Sequence, residues 1–102
     1  MIVFTRTMHV RMLAATQAID LAKKIAVAIK EKLGVELETT VPVAGNPARI
    51  AWTARYDSLA DLESYLARLL ELRQDSTYRE LIGKFAETCV PDTFEDTIWR
   101  TV

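Results

Sequence analysis

Apolar spacing switches between period two and period 3.6 in the order strand, helix, strand, strand, helix, strand within 102 residues, and few architectures accept that order. Ile2 to Val10 is rich in β-branched and aromatic residues and predicts a first strand. From Leu13 to Leu33, Ala15, Ala18, Ala22, Ile25, Ile29 and Leu33 recur every three or four positions, an apolar helix stripe rich in alanine. Gly34 supplies a left-handed stop for that helix. Val35 to Val43 alternates with one wet face, and Pro42 places this strand at a sheet edge. The turn cluster Ala44-Gly45-Asn46-Pro47 joins it to a strand over Ala48 to Tyr56 as a hairpin, with Asn46 there to tolerate left-handed backbone.

Ser58 reads as an N-cap, with Asp61 in the first turn beyond it. Leu62, Tyr65, Leu66, Leu69, Leu70 and Leu72 then mark the apolar face of a second helix. Asp75-Ser76-Thr77 reads as a fresh cap, Ser76 included, so a third helical piece is expected over Tyr78 to Ala86. Val90-Pro91-Asp92 breaks that piece, and Thr93 to Val102 is the expected last strand.

The order β-α-β-β-α-β predicts one α+β domain over residues 1–102, a ferredoxin-like split β-α-β fold. Right-handed crossovers put both helices on one face of a four-stranded antiparallel sheet. The other face is left bare. Strand side chains alternate between faces, and the greasier even set (Ile2, Phe4, Met8, Ile50, Trp52, Ala54, Phe94, Ile98) is assigned to the helix side. The odd set (Thr5, Thr7, His9, Thr53, Arg55, Glu95, Thr97, Trp99) then lines the open side. Arg6, Asp96 and Arg100 fall on the greasy face, where an ion pair, a strand end or a bulge would have to accommodate them. Trp52 and Trp99 face opposite ways, with core packing the default role of each.

Half of the residues are hydrophobic and 26% are charged, so the chain has apolar surface enough to fold. The formal net charge is −1 with basic residues scattered, which argues against nucleic acid as a partner. Lys23, Lys24, Lys30 and Lys32 share a segment with Asp20 and Glu31, the pattern of a solvated helix face. One cysteine (Cys89) and one histidine (His9) make neither a disulfide nor a Cys/His metal site. Cys89 fits a small buried hydrophobe near a helix end. A reduced, cytoplasmic setting is expected, with no signal peptide and no membrane span.

Gly45-Asn46, Ile50-Ala51-Trp52, Tyr56-Asp57-Ser58-Leu59-Ala60 and Asp75-Ser76-Thr77-Tyr78 follow one another in an order that resembles the dimeric α/β-barrel superfamily, and most closely its NIPSNAP-like branch. Arg6 matches a basic position common there. The first helix matches by pattern alone, since Arg11-Met12-Leu13 stands where the family has a glycine. The resemblance implies a homodimer whose two sheets close into a barrel. It also implies a wide choice of chemistry: cofactor-free monooxygenases, haem-degrading enzymes, isomerases and proteins with no assigned activity share the fold.

Five residues on the open face are the candidate ligand contacts: His9, Thr53, Arg55, Glu95 and Trp99. His9, Glu95 and Arg55 are also the candidate catalytic set. His9 is the side chain whose ordinary titration lies near neutral pH, and Glu95 could orient it as a base. The plainer alternative is a strand-end histidine bonded to backbone or water. Arg55 could hold a carboxylate or pair with an acidic residue across a dimer, and Trp99 could stack on a ligand or on the dimer mate. Haem ligation has no counterpart, because histidine-ligated relatives carry that residue on a helix. Gly-rich phosphate loops, H-E-x-x-H and G-x-S-x-G are absent.

These residues predict a homodimer, closed through the open sheet faces, that holds a small, partly apolar molecule between or beneath the sheets and needs no cofactor. A cofactor-independent monooxygenase or isomerase is the alternative, and enzyme and binding protein both stay open. A third possibility is an interaction module with no ligand.

Overall fold

The computed structural model describes residues 1–102. Strand β1 (Ile2–His9) leads through a 3-10 turn (Met12–Ala14) into helix α1 (Ala15–Leu33). Strands β2 (Glu38–Thr40) and β3 (Arg49–Tyr56) follow, then helices α2 (Leu59–Leu72) and α3 (Ser76–Thr88), and finally β4 (Glu95–Arg100). The sheet order is β2-β3-β1-β4, antiparallel throughout. The expected ferredoxin-like α+β arrangement is therefore the observed one, with β2 and β4 at the edges.

The helix ends follow local chemistry. Helix α1 stops where Gly34 takes φ 70° and its N–H donates to the Lys30 carbonyl. Ser58 Oγ accepts the Asp61 N–H at 3.2 Å and opens α2. Helix α3 opens on Asp75, whose Oδ1 accepts the Tyr78 N–H at 2.9 Å; that bond holds the Asp75 carboxyl below its ordinary value. Ser76 is thus the first helical residue and not a cap. Asp75 keeps the extended backbone that a cap needs, with ψ 122°.

The face assignment holds in the two central strands. Ile2, Phe4, Met8, Ile50, Trp52 and Ala54 are all buried under the helices. Helix α1 brings two alanines, Ala18 and Ala22, with no exposed surface, and such small side chains let the helix lie close to the sheet. Trp52 Nε1 then donates to the Ala22 carbonyl at 3.3 Å, and its ring lies 5.2 Å from Phe85. One tryptophan so ties β3 to α1 and α3. Met8, Ile25, Ile50 and Leu62 are the most enclosed large side chains, and truncating any of them to alanine costs about 2–5 kcal/mol.

Arg6, out of place by polarity, is resolved by an ion pair. Arg6 and Asp96 stand opposite each other on β1 and β4, and the guanidinium grips both carboxylate oxygens at 2.7 and 2.9 Å. That hydrogen bond raises the Arg6 pKa against the opposing effect of burial. Arg100, the other charge on this face, is the last residue of β4, an exposed strand end.

Other expectations need correcting at the edges. Strand β2 spans Glu38–Thr40 rather than Val35 to Val43, and Pro42 lies beyond it. An edge strand has one neighbour, and proline has no N–H to extend the ladder. The last strand likewise shrinks to Glu95–Arg100, while α3 grows to Ser76–Thr88. Phe94 and Ile98, expected on the helix side, are each 53% exposed. Strand β4 packs on β1 and makes no extensive contact with a helix, so Ile98 is left uncovered, while Phe94, just ahead of β4, stands at the edge of a space between sheet and helices. Asn46 is not left-handed either; Gly45 carries the positive φ of that turn, 91°. Asn46 Oδ1 instead accepts the Ala48 N–H at 2.9 Å, an Asx-type closure.

Candidate functional site

The open face of the sheet is organised around a row of threonines. Thr5 stands opposite Thr53 on one side and Thr97 on the other, and the Thr5 and Thr53 hydroxyls lie 3.2 Å apart. Glu38 is opposite Thr53 on the far side. Thr53 is therefore central, and the other candidates divide between the two ends. Glu95 pairs in register with Thr7, next to the His9 end of β1, whereas Trp99 and Arg55 both flank Val3. Six residues of strand, about 20 Å, separate His9 from the Val3 level. Within one chain His9 and Arg55 do not meet.

The histidine has a neighbour that the sequence did not offer. His9 Nδ1 lies 3.3 Å from Asn46 Nδ2, so the hairpin turn folds back onto the end of β1. The two nitrogens form a hydrogen bond when Nδ1 is the unprotonated acceptor. The His9 backbone is also tied down: its N–H donates to Thr93 Oγ1 at 3.1 Å, and its carbonyl accepts the Val90 N–H at 2.9 Å. Glu95 makes no hydrogen bond to the ring. Arg55 pairs with Glu38 of its own chain at 3.6 Å, and with both side chains more than half exposed that pair contributes little. Trp99 departs from the core role expected of a tryptophan, being 67% exposed. Cys89 is buried, with Sγ 3.4 Å from the Phe85 carbonyl, and burial pushes its thiol pKa up, as expected of an inert packing residue. No three His, Cys, Asp or Glu side chains converge as metal ligands would, and no helix is long and apolar enough to cross a membrane.

A second feature lies on the opposite side of the sheet. Between sheet and helices is a cavity of about 120 Å³, floored by Phe4, Ile25, Ile29, Trp52 and Phe85. Four polar side chains reach it: Arg6, Tyr65, Arg73 and Tyr78. Tyr65 is 3% and Tyr78 5% exposed. Desolvation raises both phenol pKa values, that of Tyr65 to about 12. The electrostatic influence of Arg6 reaches both tyrosines and that of Arg73 reaches Tyr78, so the four form one cluster. Next to the cavity, a groove of about 200 Å³ shares Arg6, Leu69 and Arg73 with it. No histidine, cysteine or carboxylate lines either space.

Sequence periodicity could not single out this cavity, because Trp52, Phe85 and Ile25 look like ordinary core. Two signals were legible. Arg6 broke the polarity pattern of β1, and Arg73 sits where α2 yields to α3, just before the Asp75 cap.

No protein-family model matches the chain, and no curated protein matches it. Solved structures do match. A NIPSNAP family protein from Agrobacterium tumefaciens has 20% identity and TM-score 0.77, the match covering 99% of this chain and 92% of that one. An uncharacterized NIPSNAP domain protein from Burkholderia xenovorans has 13% identity and TM-score 0.79, covering 100% and 95%. A candidate antibiotic biosynthesis monooxygenase from Deinococcus radiodurans has 15% identity and TM-score 0.69, covering 100% and 93%. With helices on one face of a four-stranded antiparallel sheet and such matches along its whole length, the chain has the ferredoxin-like fold of NIPSNAP and antibiotic biosynthesis monooxygenase-like α/β-barrel proteins.

Proposed function

We propose that this protein is a small homodimeric binding protein that holds one small, partly apolar molecule per subunit beneath its sheet. The cavity bounded by Phe4, Trp52, Tyr78 and Phe85 carries this proposal. Cores pack at crystal-like density, and a void of this size lined by aromatic rings costs stability unless something fills it. A ligand would recover those lost contacts. Self-association follows from the other face: Trp99, Val3 and the threonine row form a surface part apolar and part hydroxylated, suited to an isologous interface. In that dimer His9, Thr53, Arg55, Glu95 and Trp99 line the contact between sheets.

The cavity side chains favour binding over catalysis. General acid–base work near neutral pH calls for a group that titrates there, and the cavity offers only phenols and guanidinium groups. His9, the one imidazole, sits on the opposite face of the sheet.

The test uses the two tryptophans separately. In a Trp99→Phe variant Trp52 is the remaining tryptophan, and its ring lies on the cavity. Saturating toluene is expected to change its emission and raise the thermal midpoint. Ala86→Phe, which fills the cavity from its α3 wall, should abolish both responses. No response to toluene in the unblocked protein would refute the proposal.

A further inference from the structure

We propose that the ligand of this cavity is a small monocarboxylate with an apolar body, its carboxylate held by Arg73 and capped by the Tyr65 and Tyr78 hydroxyls. This deepens, and rests on, the assignment of the cavity as a binding site. It starts from unmatched donors. Two guanidinium groups reach the cavity and its adjoining groove. Arg6 has its charge matched by Asp96 through Nε and Nη2, whereas the Arg73 guanidinium makes no salt bridge or hydrogen bond. The pair Arg6–Asp96 is neutral, so Arg73 leaves one uncompensated positive charge at the mouth, where no carboxylate lines the wall.

Tyr65 and Tyr78 add to this. Both are more than nine-tenths buried and both line the cavity, yet neither phenol hydroxyl has a hydrogen-bond partner. Buried hydroxyls are ordinarily paired. Tyr56 Oη is the buried side-chain polar atom sealed in the packing without a partner; those of Tyr65 and Tyr78 are not sealed, and both residues line the cavity. Phenol and guanidinium N–H and O–H groups share one demand: an acceptor, and for Arg73 an anionic one. A carboxylate meets it with two oxygens and four lone-pair directions, enough for a guanidinium fork and two hydroxyls.

Size and polarity fix the rest of the molecule. The floor is apolar and aromatic, and its volume of about 120 Å³ is close to that of cavities on the order of 150 Å³ that accept a benzene ring. The body is therefore one six-membered ring or a branched chain of comparable bulk. Arg73 belongs to both cavity and groove, so a carboxylate one or two bonds beyond that body reaches the mouth without burying its charge against the floor. A cationic ligand is disfavoured by Arg73, and a polyanion by the apolar walls.

Calorimetric titration of the 102-residue chain with benzoate, phenylacetate and isovalerate, each beside its neutral amide, tests this. At least one acid should bind about tenfold or more tighter than its amide, the worth of one charge-assisted fork. Arg73→Met should bring that acid close to the level of its amide, the acid losing far more affinity than the amide. Arg73 is exposed, so the variant is expected to keep its native thermal midpoint. Arg73→Lys should retain an intermediate preference, as a point charge without the fork. Acids and amides binding equally, or Arg73→Met leaving the preference intact, overturns the carboxylate assignment and leaves the cavity site standing. If none of the six binds at millimolar concentration while toluene still does, the assignment also fails. Failure of toluene as well overturns the site itself.

Discussion

Replacing Trp99 by alanine separates self-association from folding. The side chain is 67% exposed on the open face, opposite Val3 and in the same row as Arg55. A tryptophan buries up to about 250 Å², so the exposed fraction leaves on the order of 160 Å² to cover. At about 25 cal/mol per Å² that is roughly 4 kcal/mol for each copy. An isologous interface uses each residue twice. Ordering costs and imperfect contact reduce the sum, and about 4 kcal/mol for the dimer is a conservative expectation, equivalent to a dissociation constant about a thousandfold higher. Sedimentation equilibrium over a wide concentration range measures it, with the native protein at twice the monomer mass at micromolar concentration. Far-UV circular dichroism should be unchanged, because an exposed side chain contributes within about 0.5 kcal/mol to the fold of one chain. A native protein that sediments as a monomer, or a Trp99→Ala protein that dimerises as tightly as native, would refute the reasoning.

Two stability predictions follow from the tyrosines. Tyr56 Oη is buried without a hydrogen-bond partner, and an unmatched hydroxyl costs about 1–3 kcal/mol. Tyr56→Phe should therefore stabilise the protein by about 1 kcal/mol in urea titration; a destabilised variant would mean that the hydroxyl is satisfied. Desolvation raises the Tyr65 pKa from 10.0 to about 12 in the folded chain. The fold thus favours the neutral phenol, and this contribution is whole below pH 10 and is lost as pH rises from 10 through 12. Urea midpoints measured at pH 9 and pH 11.5 should fall for the native protein and fall less for Tyr65→Phe; equal losses would contradict the desolvation.

Much of the architecture could be read from the chain because each element carried its own chemistry. Gly34, Ser58 and Asp75 end or begin helices by local hydrogen bonds, which need no tertiary context. Alternation along β1 and β3 gave the faces correctly, since both strands are central and each side chain there has neighbours on both sides. The edges were less legible. Whether Phe94 and Ile98 are covered depends on where the helices lie over the sheet, and periodicity carries no information on that. Asn46 looked like a turn residue and is one, but its approach to His9 depends on how the hairpin folds back over the end of β1.

The candidate site divides in the same way. Composition and alternation determined which side chains share the open face: His9, Thr53, Arg55, Glu95 and Trp99 all project from it. Only the three-dimensional register placed His9 and Arg55 about 20 Å apart, because a strand's alternation fixes the side and says nothing of the distance between rows. The sequence also marked Arg6 as anomalous, and the fold supplied Asp96 as the reason. The cavity beneath the sheet belongs wholly to the tertiary structure. It lies between sheet and helices where α2 gives way to α3, with Phe4, Trp52 and Phe85 on one part of its wall and two unpartnered phenols on another. A gap between elements is a property of how they meet, and no single element encodes it.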